Sequence, residues 1–191
     1  YVVRQTNTLR NYTIPAGTIV DPGDYVVIGR SASQAQFETN WGITLPTNVV
    51  YLNGANNFPR IDGQERFSLL NAGNTNIDGL TPSSIDPVNK SVQRKNATNS
   101  ASSSSSWNVL GWSSATPGSG CAGNGTAGLR ISEYSDAGSF QYEFVELFYD
   151  GSGTPSTFLP SCSRSRTGPS RSATTCSSRW KPRRRTRTIT R

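Results

Sequence analysis

The sequence predicts an all-β fold, and three observations predict it. Apolar residues come in short runs bounded by turn residues. The runs are rich in β-branched and aromatic side chains, which suit a pleated, half-buried surface. No stretch of about a dozen residues keeps helical spacing without meeting Gly or Pro.

In chain order the expected strands are Tyr12–Ile14, Thr18–Val20, Tyr25–Ile28, Val49–Leu52, Phe67–Leu70, Ser91–Arg94, Leu129–Tyr134 and Phe144–Tyr149. Between them, Pro15-Ala-Gly17, Asp21-Pro-Gly-Asp24, Asn53-Gly54, Asn71-Ala-Gly-Asn74 and Asp78-Gly79 supply turn dihedrals that other residues resist. One short helical turn is expected around Ser33–Trp41, where Ala35, Phe37 and Trp41 can share a face. Asn96–Ser106 ends in a run of Ser and reads as a flexible loop, and residues 119–128, rich in Gly, read as a linker.

The 191 residues carry a formal net charge of +7, but unevenly. Residues 1–150 hold 9 Lys and Arg and all 12 Asp and Glu, a net charge of −3, whereas residues 151–191 hold 10 basic residues and no acid. The body is therefore mildly acidic, and the basic character belongs to the tail. That tail, rich in Ser, Arg, Thr and Pro, cannot bury enough apolar surface to offset its ordering entropy and is expected to be disordered. Two origins fit it, a genuine basic tail or the product of a shifted reading frame. With no Met and with Tyr1 first, the chain is expected to be a mature form or a fragment of a longer protein. No run approaches the roughly 18 apolar residues of a membrane span.

The order of segments resembles a lamin-tail domain. The matching stretches are Ile14 to Arg30 (IPAGTIVDPGDYVVIGR), Val50-Tyr-Leu-Asn53, Phe67 to Gly79 (FSLLNAGNTNIDG), Ser91-Val-Gln-Arg94, and Trp107 followed by Ala115-Thr-Pro-Gly118. The resemblance implies an immunoglobulin-like β-sandwich from a bacterial secreted or cell-surface protein. The family's opening strand pair, of the form Ile-Ser-Glu and Glu-Phe-Val-Glu-Leu, is missing before residue 1. It stands instead at Leu129-Arg-Ile-Ser-Glu-Tyr134 and Glu143-Phe-Val-Glu-Leu-Phe-Tyr149. The expected organisation is thus an incomplete sandwich at 1–118, a linker at 119–128, the opening strands of a second copy at 129–150, and the tail at 151–191. An incomplete sandwich leaves strand edges unpaired, and an orphan hairpin is marginal by itself. Residues 129–149 are accordingly expected to fold back and pair with the body.

Catalytic chemistry finds little support. Without His, no imidazole base or His-ligated metal can operate, and a Ser nucleophile would need Lys90 or Lys95, beside a turn and a polar loop. Asp21, Asp24 and Asp78 sit in turn sequences, and Asp62 and Glu65 do not form an Asp-rich calcium loop. Glu143 and Glu146, three apart, lie on opposite faces of a regular strand and share a pocket only if a bulge intervenes. Glu133 reads as a strand-end polar group. The glycines of 118–125 lack the Lys-Ser/Thr that a phosphate-cradling loop requires. Neither a cofactor nor a metal is expected.

Cys121, Cys162 and Cys176 make an odd count with no Cys-x-x-Cys, so they do not define a redox compartment. Asn11, Asn89, Asn96 and Asn124 match the glycosylation acceptor pattern. Most aromatics lie in or beside strands, where packing is their ordinary role. Trp41 and Trp112, bordered by Gly and polar residues, are the two expected at the surface, where they could stack on a ligand.

The function expected is therefore a non-catalytic binding, adhesion or spacer module with a protein or carbohydrate partner. Two alternatives remain. One is an accessory piece of a secreted nuclease or phosphoesterase with its active site elsewhere. The other is nonspecific nucleic-acid binding through the ten positive charges of the tail.

Overall fold

The short apolar runs become strands because each offers one face to a core and finds a neighbour for its backbone groups. The computed structural model describes residues 1–55, 57–121, 128–137 and 139–151, with the backbone of Ser156–Thr157. Most of the expected linker, nearly all of the expected tail, Cys162, Cys176 and Asn124 lie outside the described residues.

The strands are β1 (Val2–Thr6), β2 (Arg10–Thr13), β3 (Ile19–Val20), β4 (Tyr25–Arg30), β5 (Val49–Gly54), β6 (Arg66–Leu70), β7 (Asn76–Gly79), β8 (Lys90–Arg94), β9 (Trp107–Gly111), β10 (Gly128–Ser135), β11 (Phe144–Asp150) and β12 (Ser156–Thr157). One helix, α1 (Gln34–Trp41), and three short 3-10 turns accompany them among the described residues. The fold is all-β in two main sheets, ordered β2-β1-β6-β7 and β5-β4-β11-β10-β8-β9, while β12 pairs with β3.

The pairings are antiparallel except β4 with β5, which run parallel and are joined through α1. Such a pair needs a crossover, and α1 supplies it. Ser33 starts the helix with a capping box shared with Gln36, and Gly42 ends it at φ 64°, a left-handed conformation natural to Gly.

β11 lies between β4 and β10, and β10 reaches β8 on its other side. Residues 128–150 thus occupy the middle of the six-stranded sheet, paired to the body along both flanks. Four strands lie where none is expected from sequence. β12, inside the stretch expected to be a disordered tail, pairs with β3. β1 carries Arg4 and Gln5 within it, β7 is Asn-Ile-Asp-Gly, and β9 is an edge strand with four of five residues exposed. Pairing with β6 and β8 holds these last three in place rather than local propensity. Asp78 corrects the turn expectation, because it lies within β7 and is buried.

Val3, Phe67 and Leu69 from one sheet pack with Val26, Ile28, Val92, Ile131, Tyr134, Val145 and Leu147 from the other to form the main core. Alternate residues of β4 and β11 point the opposite way. Val27 and Phe144 meet Phe37 of α1 and Leu45 in a second cluster. With both of its faces covered, β11 is buried at every position. Among the described residues no helix is long and apolar enough to cross a membrane.

Candidate functional site

Trp41 closes α1, one turn beyond the buried Phe37, so the two rings share the face that packs on the sheet. Trp112 opens the 3-10 turn Trp112–Ser114 just after β9, and Tyr142 closes the turn Phe140–Tyr142 just before β11. These segments meet at one corner of the molecule. The Trp41 ring lies 6.0 Å from Trp112 at 66° and 5.5 Å from Tyr142 at 84°, and Trp112 lies 5.7 Å from Tyr142. Edge-to-face arrangements of this kind suit the ring quadrupoles and are worth about 0.5–1.5 kcal/mol per pair beyond burial. Phe144, 5.7 Å from Trp41, forms the floor beneath.

The structure therefore brings together both tryptophans singled out in the sequence. Their exposure differs. Trp112 is 38% exposed, whereas Trp41 is half-buried and its indole N–H is buried without a hydrogen-bond partner. Trp112 is the outer ring and Trp41 its support.

Two buried carboxylates hold the Trp112 segment. Glu133 and Glu146 are cross-strand partners, brought opposite by a bulge in β10 between Ile131 and Glu133. Glu133 accepts from the Thr116 backbone N–H at 3.2 Å, the Thr116 hydroxyl at 3.0 Å and the Ser91 hydroxyl at 2.5 Å. Glu146 accepts from the Gly118 N–H at 2.5 Å and the Ser132 hydroxyl at 2.6 Å. Burial pushes the pKa of Glu133 up despite these bonds, and burial with the neighbouring Glu133 charge pushes Glu146 well above its usual range. Gly118 is the residue this latch requires. Its φ is +84°, and a Cβ there would meet Val49 Cγ2 at 2.7 Å.

The other acids also bind neighbouring structure. Glu143 pairs with Arg30 at 2.5 Å and accepts the Ile61 N–H at 2.6 Å, while Glu146 serves the Gly118 loop. Burial raises Glu143 to about 7 despite the Arg30 charge. Asp78 receives both terminal nitrogens of Arg94, at 2.7 and 3.1 Å, and the Ile131 N–H at 2.8 Å. Asp21 donates its N–H to the Asp24 carboxylate in a turn, Asp86 accepts from the Val88 N–H, and Asp62 pairs with Arg60. The buried Cys121 thiol is pushed up to about 12, chiefly by burial, which keeps it protonated and unreactive.

A cavity of about 320 Å3 lies between β7, the Ala97–Ala101 loop and Arg130. Arg94 borders it, but four of its five N–H donors are taken by Asp78, the Ile131 carbonyl and the Asn99 carbonyl. A smaller cavity of about 150 Å3 adjoins α1 and the Phe140–Tyr142 turn.

The acid pair went unread in the sequence, yet a signal exists. Ile131 and Tyr134 are both apolar and three apart, so both can face the core only if the strand carries an extra residue between them. That extra residue is what sets Glu133 opposite Glu146.

Compared with protein-family models, curated proteins and solved structures, the chain matches none of them.

Proposed function

We propose that this chain is a non-catalytic binding module of a larger bacterial secreted or cell-surface protein, built as a lamin-tail-like, immunoglobulin-type sandwich. It meets its ligand through Trp112, backed by Trp41 and Tyr142. The motif order and the two packed sheets support the architecture. The acids support a non-catalytic role, since Glu133, Glu146, Glu143 and Asp78 each accept a backbone N–H from a neighbouring segment instead of facing a shared cleft.

The observation that carries the reading is the contact between Trp41 and Trp112, 6.0 Å apart and supplied by segments distant in sequence. An aromatic ring left exposed on a rigid aromatic base offers large contact area at little entropic cost. The test is an array of proteins and glycans probed with the wild-type chain and with the Trp41→Ala/Trp112→Ala double variant. Ligands retained by the wild type should lose at least about tenfold in affinity, equivalent to about 1.4 kcal/mol. Unchanged retention, or no retained ligand, overturns the reading.

A further inference from the structure

Two elements, α1 and the Phe140–Tyr142 turn, contribute residues both to the aromatic corner and to the smaller cavity. Gln36 and Asn40, one helical turn apart on α1, line the cavity together with Arg30, Phe140 and Gln141. Trp41 directly follows Asn40, and Tyr142 directly follows Gln141. Phe140 is 52% exposed, adding a further open ring to the same edge.

The cavity is polar, and the cation lining it, Arg30, is ion-paired. Glu143 meets the Arg30 guanidinium at 2.5 Å, and the guanidinium carbon Cζ lies over the Phe140 ring, 5.5 Å from its centre. The remaining polar lining is Ser31 and three side-chain amides, Gln36, Asn40 and Gln141. Gln36 commits its Oε1 to the helix cap, where it accepts from the Ser33 backbone N–H, and retains its Nε2 donors. Asn40 makes only a long bond, 3.5 Å, to the Gln141 carbonyl.

This chemistry selects among ligand classes. A phosphate, sulfate or uronate gains most from an unpaired cation, and the cation lining the cavity, Arg30, is already ion-paired with Glu143. Nucleic acid would approach a body whose net charge is −3. A neutral sugar fits both halves: its C–H face lies on an aromatic ring, and its hydroxyls pair with side-chain amides. At about 150 Å3, well below the roughly 300–1,000 Å3 of a drug-sized pocket, the cavity takes a hydroxymethyl or acetamido substituent rather than a whole oligosaccharide.

Resting on the binding-module reading above, we infer that the ligand is a neutral saccharide. One pyranose ring lies on Trp112, and a substituent of the same or the adjoining sugar enters the cavity lined by Gln36, Asn40 and Gln141. Stacking supplies contact area, and the amides supply orientation.

The experiment titrates the full chain with neutral tetrasaccharides of glucose, mannose and N-acetylglucosamine, and with uronate and sulfated counterparts, followed by calorimetry and tryptophan fluorescence. At least one neutral tetrasaccharide should bind, with affinity nearly unchanged between about 0.05 and 0.5 M NaCl. Trp112→Ala should weaken it at least about tenfold, Trp112→Phe should restore most of it, and Gln141→Ala should cost about threefold or more. Circular dichroism of each variant reports folding. Tighter binding of the charged counterparts, still lost in Trp112→Ala, overturns the neutral-sugar inference and leaves the aromatic corner standing. Saccharide binding indifferent to Trp112→Ala overturns both. Failure of every neutral tetrasaccharide to bind overturns the inference, while the array then judges the corner separately.

Discussion

Glu133 and Glu146 face each other across β10 and β11, and each accepts a backbone N–H from the segment that follows Trp112. The sheet interior thereby sets the position of a surface ring. Two like charges so placed resist joint ionisation, and burial adds to that resistance.

Glu146→Gln should consequently be mild. The neutral amide keeps an oxygen for the Gly118 N–H and offers a donor toward the Ser132 hydroxyl, which can accept, so the stability change should stay within about 1 kcal/mol. Glu146→Ala strands the buried Gly118 N–H and should cost about 2–4 kcal/mol. Urea unfolding of both variants checks the contrast, and equal losses would contradict it.

Glu143 gives a pH dependence of defined sign. Its folded pKa, about 7, exceeds the ordinary 4.5, so the fold binds this proton more tightly than the unfolded chain does. The stability it contributes is complete below about pH 4.5 and is lost as pH rises through about 7. The difference in urea midpoint between wild type and Glu143→Gln should therefore shift in favour of the variant across that interval. A difference that stays flat with pH would refute the burial argument.

Removing one partner of the Asp78–Arg94 pair leaves a buried, uncompensated charge. Asp78→Ala should lower stability by about 3–5 kcal/mol. It also frees the Ile131 N–H and loosens β7 against β10, so amide exchange should quicken first in those two strands.

Truncation before Gly128 removes β10 and β11 from the middle of the six-stranded sheet. β4 and β8 then lose the neighbours that separate them, and the main core loses Ile131, Tyr134, Val145 and Leu147. The shortened chain should show no cooperative thermal transition by circular dichroism. A native-like transition would mean that residues 1–127 fold unaided.

Much of the fold was legible because its signals are local. The runs at Tyr25, Val49, Phe67 and Phe144 are β-branched or aromatic, and each became a strand with ends within two residues of those expected. The apolar spacing of Ala35, Phe37 and Trp41 marked the helical segment that became α1. β1, β7 and β9 were not legible, since their polar residues gain stability only from a neighbouring strand. Asp78 looked like a turn residue because Asp-Gly carries the same local signature whether or not an Arg94 waits across the sheet.

The amino-acid order by itself determined the β class, most strand positions, the short helical segment at Ser33–Trp41, the absence of any imidazole, and which two tryptophans stand beside small or polar neighbours. Tertiary structure alone decided that Glu133 meets Glu146, that β11 runs through the middle of a sheet, and that Trp41 touches Trp112. Propensities and caps act over a few residues. Strand partners, by contrast, are chosen over long separations whose closure entropy differs only slightly among alternatives, and a single bulge residue switches which side chains face one another.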